Sequence, residues 1–232
     1  MAVTARDRAE STYHRLKELV LNYRFRPGGP LSAISIADRL QVSATPVREA
    51  LARLHGEDLV DLVLNRGFFA KTLNVKDMIE HYEVALQITI GAIERRYSQF
   101  IVDETTRKGL SIVNLGEITK NSDEAFLVSQ AQLIEGLYLR IAALTGNGVM
   151  LKSIRKFNDQ TRFVRLIDLE AEGNFREIAA DMSSLIGALE RQDVTAAIAN
   201  LRHQRDKKLA RMGDLVSEGI ARSLDDGPAE IG

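Results

Sequence analysis

Ser43, Thr45 and Arg48 stand at the start of the run SATPVREALARL, and their types and spacing can do chemistry on an anion. Val47, Ala50, Leu51 and Leu54 recur at i, i+3, i+4, i+7, which predicts a helix with one face packed on a core. Thr45, Arg48 and Ala52 then share the opposite face. Ser43 or Thr45 can cap this helix, and Pro46 falls in its first turn, where a missing N–H costs nothing. That turn would offer hydroxyls, backbone N–H groups without intrahelical acceptors, and one guanidinium. Such a set can hold a phosphate oxygen at the helix N-terminus and fork an Arg onto guanine. On spacing alone, a capped amphipathic helix with a solvated Arg explains the same residues at least as well.

Other chemistries are closed by residue type. With no cysteine in 232 residues there are no disulfides, zinc fingers, iron–sulfur ligands or thiol nucleophiles. The four histidines, His14, His55, His81 and His203, do not cluster. Thr145-Gly146-Asn147-Gly148 lacks the Gly-Lys-Ser/Thr ending and the preceding strand of a phosphate loop. An enzyme is therefore not expected, and no cofactor is implied. Apolar residues make up 45% of the chain, enough for a real core. The N-terminus is charged from residue 6, so no signal peptide is expected, and no stretch approaches 18 uncharged apolar residues. A cytoplasmic protein without a membrane partner is the expectation.

The elements that must position these residues change character near residue 74. Residues 1–74 hold 11 Lys+Arg against 8 Asp+Glu, and residues 75–232 hold 20 against 24. A mildly basic N-terminal module on a mildly acidic body fits an anionic partner for the former. Pro27, Pro30, Pro46 and the Gly28-Gly29 pair all lie in the first part. There the pattern predicts a helix over 8–23 with Leu16, Leu19, Val20 and Tyr23 on one stripe. A short helix follows over 36–40, and a second runs through about His55. Two short strands over 59–64 and 68–73 flank a turn at Asn65-Arg66-Gly67. Helix, helix, turn, helix, hairpin is the order of a winged helix-turn-helix. From 75 to about 224 no proline occurs, and helices are expected near 75–99, 103–120, 122–144, 149–170, 174–191 and 193–218. The fold class is thus mostly α: a winged helix at 1–74, an all-helical domain at 75–222, and a flexible tail at 223–232.

PGGPLSAISIADRLQVSATPVREALARLHGEDLVDLVLNRGFFAK resembles the DNA-binding domain of the GntR family of bacterial transcription regulators. The helical remainder is similar to the effector domain of the family's FadR-like branch. The resemblance implies a homodimer that binds a palindromic duplex operator, more simply as a repressor than as an activator. It places DNA contacts on Ser43, Thr45 and Arg48, with Arg66 and Gly67 at a wing tip reaching the minor groove. Ala44 departs from the pattern where many members carry a base-reading Arg, and Ile34 departs where an upstream polar contact is common. Those departures leave room for an interaction module that no longer binds DNA.

Many FadR-like members hold a metal through one Asp and three His and anchor a carboxylate on it. Aligned here, those positions read Ile134, Tyr138, Met182 and Gln204. His203 neighbours the last, but one residue turns it about 100° around a helix. No metal site is expected. The position of the usual effector-pairing Arg reads Ala85. A pocket lined by Ala85, Ile88, Ile134, Tyr138, Met182 and Gln204 would take a small, largely apolar or uncharged effector. Alternatively these side chains fill the space, and the domain only packs and dimerises. Arg162 and Arg165 fall on a central helix and could face a cavity, although a solvated face is the commoner fate of such a pair.

Overall fold

Apolar periodicity broken by short Gly- and Asn-bearing joints gives, in the computed structural model, ten regular elements that lie wholly among the described residues. They are α1 (Ala5–Leu21), α2 (Ala33–Leu40), α3 (Ala44–Gly56), β1 (Val60–Val63), β2 (Gly67–Ala70), α4 (Val75–Arg96), α5 (Glu124–Ala143), α6 (Gly148–Glu170), α7 (Glu172–Glu190) and α8 (Val194–Asp225). The structure describes residues 5–96, 100, 101, 104, 108 and 124–225. Apart from Glu104 and Lys108, the helix expected at 103–120 lies outside the described residues, as do residues 226–232 of the expected tail. The chain falls into two compact units, Met1–Asn74 with Ser217–Gly232, and Val75–Val216.

In the first unit, Leu16 of α1 meets Val47, Leu51 and Leu54 of α3 and Val60 of β1 in one apolar cluster. The buried stripe of α1 runs through Tyr13, Leu16 and Leu21. The expected Tyr23 is not part of it, because it leaves the helix with φ 51°. Tyr13 ties α1 to the end of α3: its hydroxyl donates to both Glu57 oxygens at 2.7 and 2.9 Å, and Lys17 adds a bond of 2.9 Å. Burial alone would raise the Glu57 carboxyl. The bonds from Lys17 and Tyr13 outweigh it and hold the group below its ordinary value.

α2 starts on Ser32, whose hydroxyl accepts from Ser35 N, and ends at Gln41 in the left-handed region. The wing is antiparallel, pairing Val60 with Ala70 and Val63 with Gly67, and is shorter than the pattern predicts. The Pro-Gly-Gly-Pro run does more than break α1. Gly28 N donates to Ala70 O, Ala70 N to Gly29 O, and Leu31 N to Phe68 O, all within 2.9 Å. That close pairing needs glycine: Gly28 has φ +70°, and a Cβ on Gly29 would sit 2.9 Å from Arg26 O.

Among its described residues, the regular elements of the second unit are all helices. Ile93, Leu137, Ile141, Leu185 and Ala197, from four helices, are buried in its main cluster. Asn147 caps α6 by accepting from Val149 N and Met150 N. α6 and α7 are separated only by Ala171, so the Gly173-Asn174 pair lies inside α7 rather than before it. Asn174 is turned inward, donating to Asp168 Oδ1 at 2.8 Å. α8 continues to Asp225, so Ser223 and Leu224 belong to a helix and not to the expected tail.

Candidate nucleic-acid interface

The burial of Val47, Ala50, Leu51 and Leu54 turns the other face of α3 outward. Ser43, Thr45 and Arg48 are all exposed at its N-terminal end. Ser43 takes the N-cap position, but its hydroxyl makes no cap bond, contrary to the capping expected from its type. The first-turn amides of α3 therefore keep their directional positive end for an outside acceptor. An open groove beside this end is bounded by Arg8 and Thr12 of α1, Gln41, Ser43 and Thr45. Spacing in the helix could not reveal Arg8 or Gln41, because they reach the groove from other elements.

At the wing, Arg66 and Gly67 are exposed. Arg66 N donates to Val63 O at 2.9 Å and closes the turn. Its guanidinium lies 5.1 Å from the Phe69 ring centre. Gly67 has φ +87°, with open space where a Cβ would stand, so its backbone can approach a partner closely. Of the two departures from the pattern, Ile34 is an exposed apolar residue on α2 and Ala44 is half-buried at the start of α3.

Within the helical unit lies a cavity of about 60 Å³. Ala85, Ile134, Tyr138, Met182 and Gln204 line it together. Ile88 does not: the face of α4 that borders the cavity carries Tyr82, Ala85, Leu86 and Thr89, a turn-by-turn stripe that leaves Ile88 to one side. Ile134, Tyr138, Met182 and Gln204 are two apolar side chains, a phenol and an amide, which do not make a donor set for a metal. Among the described residues no group of three or more His, Cys, Asp or Glu could hold one.

The wall is largely apolar in area, as expected, but it is not uncharged. Arg165, Asp181, Arg205, Lys208 and Arg211 complete it. Arg162 and Arg165 are buried rather than solvated, because α6 runs through the interior where acceptors await them. Arg165 donates to Glu135 at 2.6 Å and to Thr161 Oγ1 at 2.7 Å. Lys208 pairs with Asp168, which is fully buried. Arg211 bonds Glu177 at 3.0 Å, and Lys207 bridges Glu177 and Asp181. Tyr138 donates to Gln204 at 3.4 Å, and burial pushes its phenol up.

A sequence signal for this wall existed. Leu201, Gln204, Lys208 and Arg211 fall at i, i+3, i+7, i+10, which puts charge on a stripe that continues an apolar one.

Comparison with known proteins gives this geometry a lineage. Residues 8–70 match the pattern described as bacterial regulatory proteins, gntR family. The chain carries a GntR-family helix-turn-helix domain over residues 8–70. The Nta operon transcriptional regulator of Aminobacter aminovorans is 29% identical over 212 residues, spanning 89% of this chain and 97% of that one. A GntR regulator of Rhodococcus sp. RHA1 superposes with a TM-score of 0.70 at 19% identity, over 89% of this chain and 98% of its own. McbR/YncC of E. coli gives 0.62, also at 19%, over 89% and 97%. At that identity the two structures establish the shared fold: a winged helix followed by a helical domain. The GntR family and these relatives are transcription regulators, not enzymes. Among the described residues no helix is long and apolar enough to cross a membrane.

Proposed function

We propose that this GntR regulator acts as a homodimer on a palindromic duplex operator, most simply as a repressor that occludes polymerase. The observation that carries the reading is the joint exposure of Ser43, Thr45 and Arg48 at the uncapped end of α3. In the major groove, Arg48 would fork onto guanine while Ser43, Thr45 and the α3 amides hold phosphate. Arg66 and Gly67 would enter the adjoining minor groove. Two copies facing each other explain why one short helix suffices per half-site. The domain limits follow the same reading: 1–74 binds DNA and 75–222 senses and dimerises.

The cavity supports modulation by an effector. A small polar molecule presenting a carboxylate or carbonyl oxygen suits Arg165, Tyr138 and Gln204 better than an apolar one does. Binding would change operator affinity by favouring one arrangement of the dimer. A second reading has its own support: at about 60 Å³ the cavity holds only a few waters or a very small molecule. On that reading the domain is filled in, and DNA binding is constitutive.

Anisotropy titration of a duplex selected by the protein from a random-sequence pool tests both. Binding that falls steeply with salt supports phosphate contacts. Small carboxylates and amides added to the complex then separate the readings: a shift in affinity supports the effector, and none supports constitutive binding. A protein that selects no duplex would sink the operator reading altogether.

A further inference from the structure

We propose that Leu64 is an apolar wedge, which the wing drives between base pairs from the minor-groove side to kink the bound DNA. This rests on the operator reading above, in which the wing enters the minor groove. β1 runs out into three successive exposed apolar residues, Leu62, Val63 and Leu64, at 51%, 37% and 86% exposure. Leu64 is the most exposed large apolar side chain among the described residues. A contiguous run of this kind at the end of a strand marks a contact surface rather than the ordinary scatter of surface leucines.

Its position is firmly held. Val63 pairs with Gly67, Arg66 N donates to Val63 O, and the 28–31 segment bonds β2 from its other side. A rigid ribbon therefore ends on Leu64, Asn65 and Arg66. The strands of such a ribbon are about 4.8 Å apart before side chains are added, and the minor groove is only about 6 Å wide. Only the tip can reach the groove floor. Arg66, two residues on in the same turn, provides the charge for that approach. Leu64 and Arg66 belong to the same compact unit as the N-terminal end of α3, and the positive charge of Arg66 at the tip makes polyanionic duplex DNA the occupant that suits both.

What each tip residue would do there differs. An Arg alone favours a narrow A·T groove and leaves the stack intact. Leucine offers the groove floor no hydrogen bond. Its favourable burial lies between base pairs, where apolar residues of architectural proteins wedge and bend the duplex. The sequence preference under the wing then follows from unstacking: a TA or CA step, which opens most easily.

The test uses the full chain and a duplex selected from a random-sequence pool. 2-Aminopurine is placed in turn at the steps beneath the wing, and a dye pair on the duplex ends reports bending. Wild type is expected to raise 2-aminopurine emission at one pyrimidine–purine step and to shorten the end-to-end distance. L64A should abolish both and weaken binding about tenfold, whereas L64M should keep both. R66A should weaken binding while still raising emission. Because Leu64 touches no core, L64A should leave the thermal midpoint in place, so loss of bending reads as loss of the wedge. Wild-type binding with neither unstacking nor bending overturns the proposal, and so does an L64A complex that bends as wild type does. An L64A protein that instead changes only its self-association would give the patch to a second copy of the chain. Failure to select any duplex would count against the operator reading, not the wedge alone.

Discussion

Polar side chains meet opposite fates in the two units. On the winged helix, Ser43, Thr45, Arg48 and Arg66 stand in water, while Val47, Leu51 and Leu54 do the packing. In the helical unit, Arg165 is buried against Glu135 and Thr161, and Lys208 against Asp168. Polar groups left in water cost folding little. Buried charges must be compensated before any partner arrives, because desolvation of each ion is worth several kcal/mol. The first unit is thus a stable scaffold carrying a surface site. The second is a fold whose stability and whose cavity chemistry depend on the same residues.

Asp168→Ala should break this contrast most forcefully if the contrast is wrong. The carboxylate is fully buried, accepts from Asn174 and pairs with Lys208 and, more distantly, Arg211. Its loss leaves Lys208 buried without its counterion, and denaturant unfolding should show about 3–5 kcal/mol of destabilisation. Asp168→Leu with Lys208→Met should recover much of that, since a buried pair removed together is often neutral. A single-substitution effect as small as a surface change, within about 0.5 kcal/mol, would deny the pair its role. Arg48→Ala is the surface counterpart. It should cost about 1–3 kcal/mol of specific DNA binding and nothing measurable in folding. A destabilised fold, or unchanged discrimination between selected and random duplex, would remove Arg48 from the recognition surface.

The same contrast explains what could be read in advance. α3 and the wing were legible because a surface site is written in local spacing: the apolar stripe 47, 50, 51, 54 dictates which way Arg48 must face. Five of six residues expected at the cavity do line it, each on the inward face of its helix. Ile88 fails by a fraction of a turn on α4, whose cavity face carries Ala85 and Thr89 instead. Arg165 and Lys208 escaped for a deeper reason. A charge is assigned to water by default, and only the positions of Glu135 on α5 and Asp168 on α6 make its burial tolerable. Such compensation joins different helices and has no period in the chain. The start of α7 was misread for a related cause: Gly173-Asn174 looks like punctuation until Asp168 is seen to hold Asn174.

Gly67→Ala sharpens the comparison on the wing. The φ of +87° is costly for any side-chain-bearing residue, yet nothing stands within 4 Å of the new methyl. The penalty is conformational only, about 1–2 kcal/mol of folding stability in the first unit. A larger loss would mean the hairpin carries more of the fold than its two short strands suggest. Unchanged stability with weakened DNA binding would place the whole role of Gly67 in its close approach to a partner.

The smallest effect distinguishes the units by sign. In the winged helix, bonds from Lys17 and Tyr13 overcome burial and hold Glu57 below the ordinary 4.5. Its contribution to stability is present above about pH 4.5 and is lost as pH falls through the folded value. In the helical unit, burial lifts Glu135 above 4.5, and the attraction of Arg165 and Arg162 does not cancel the rise. Its contribution is full below about pH 4.5 and is lost as pH climbs through the folded value. Urea midpoints between pH 3.5 and 7 separate the two. Glu57→Gln should flatten the acid side of the profile, and Glu135→Gln should remove a decline on the rising side, each by less than about 1 kcal/mol. Two substitutions that bent the profile the same way would show that Glu135 is held by Arg165 as an ordinary ion pair, and the contrast between an exposed site and a compensated interior would lose its electrostatic half.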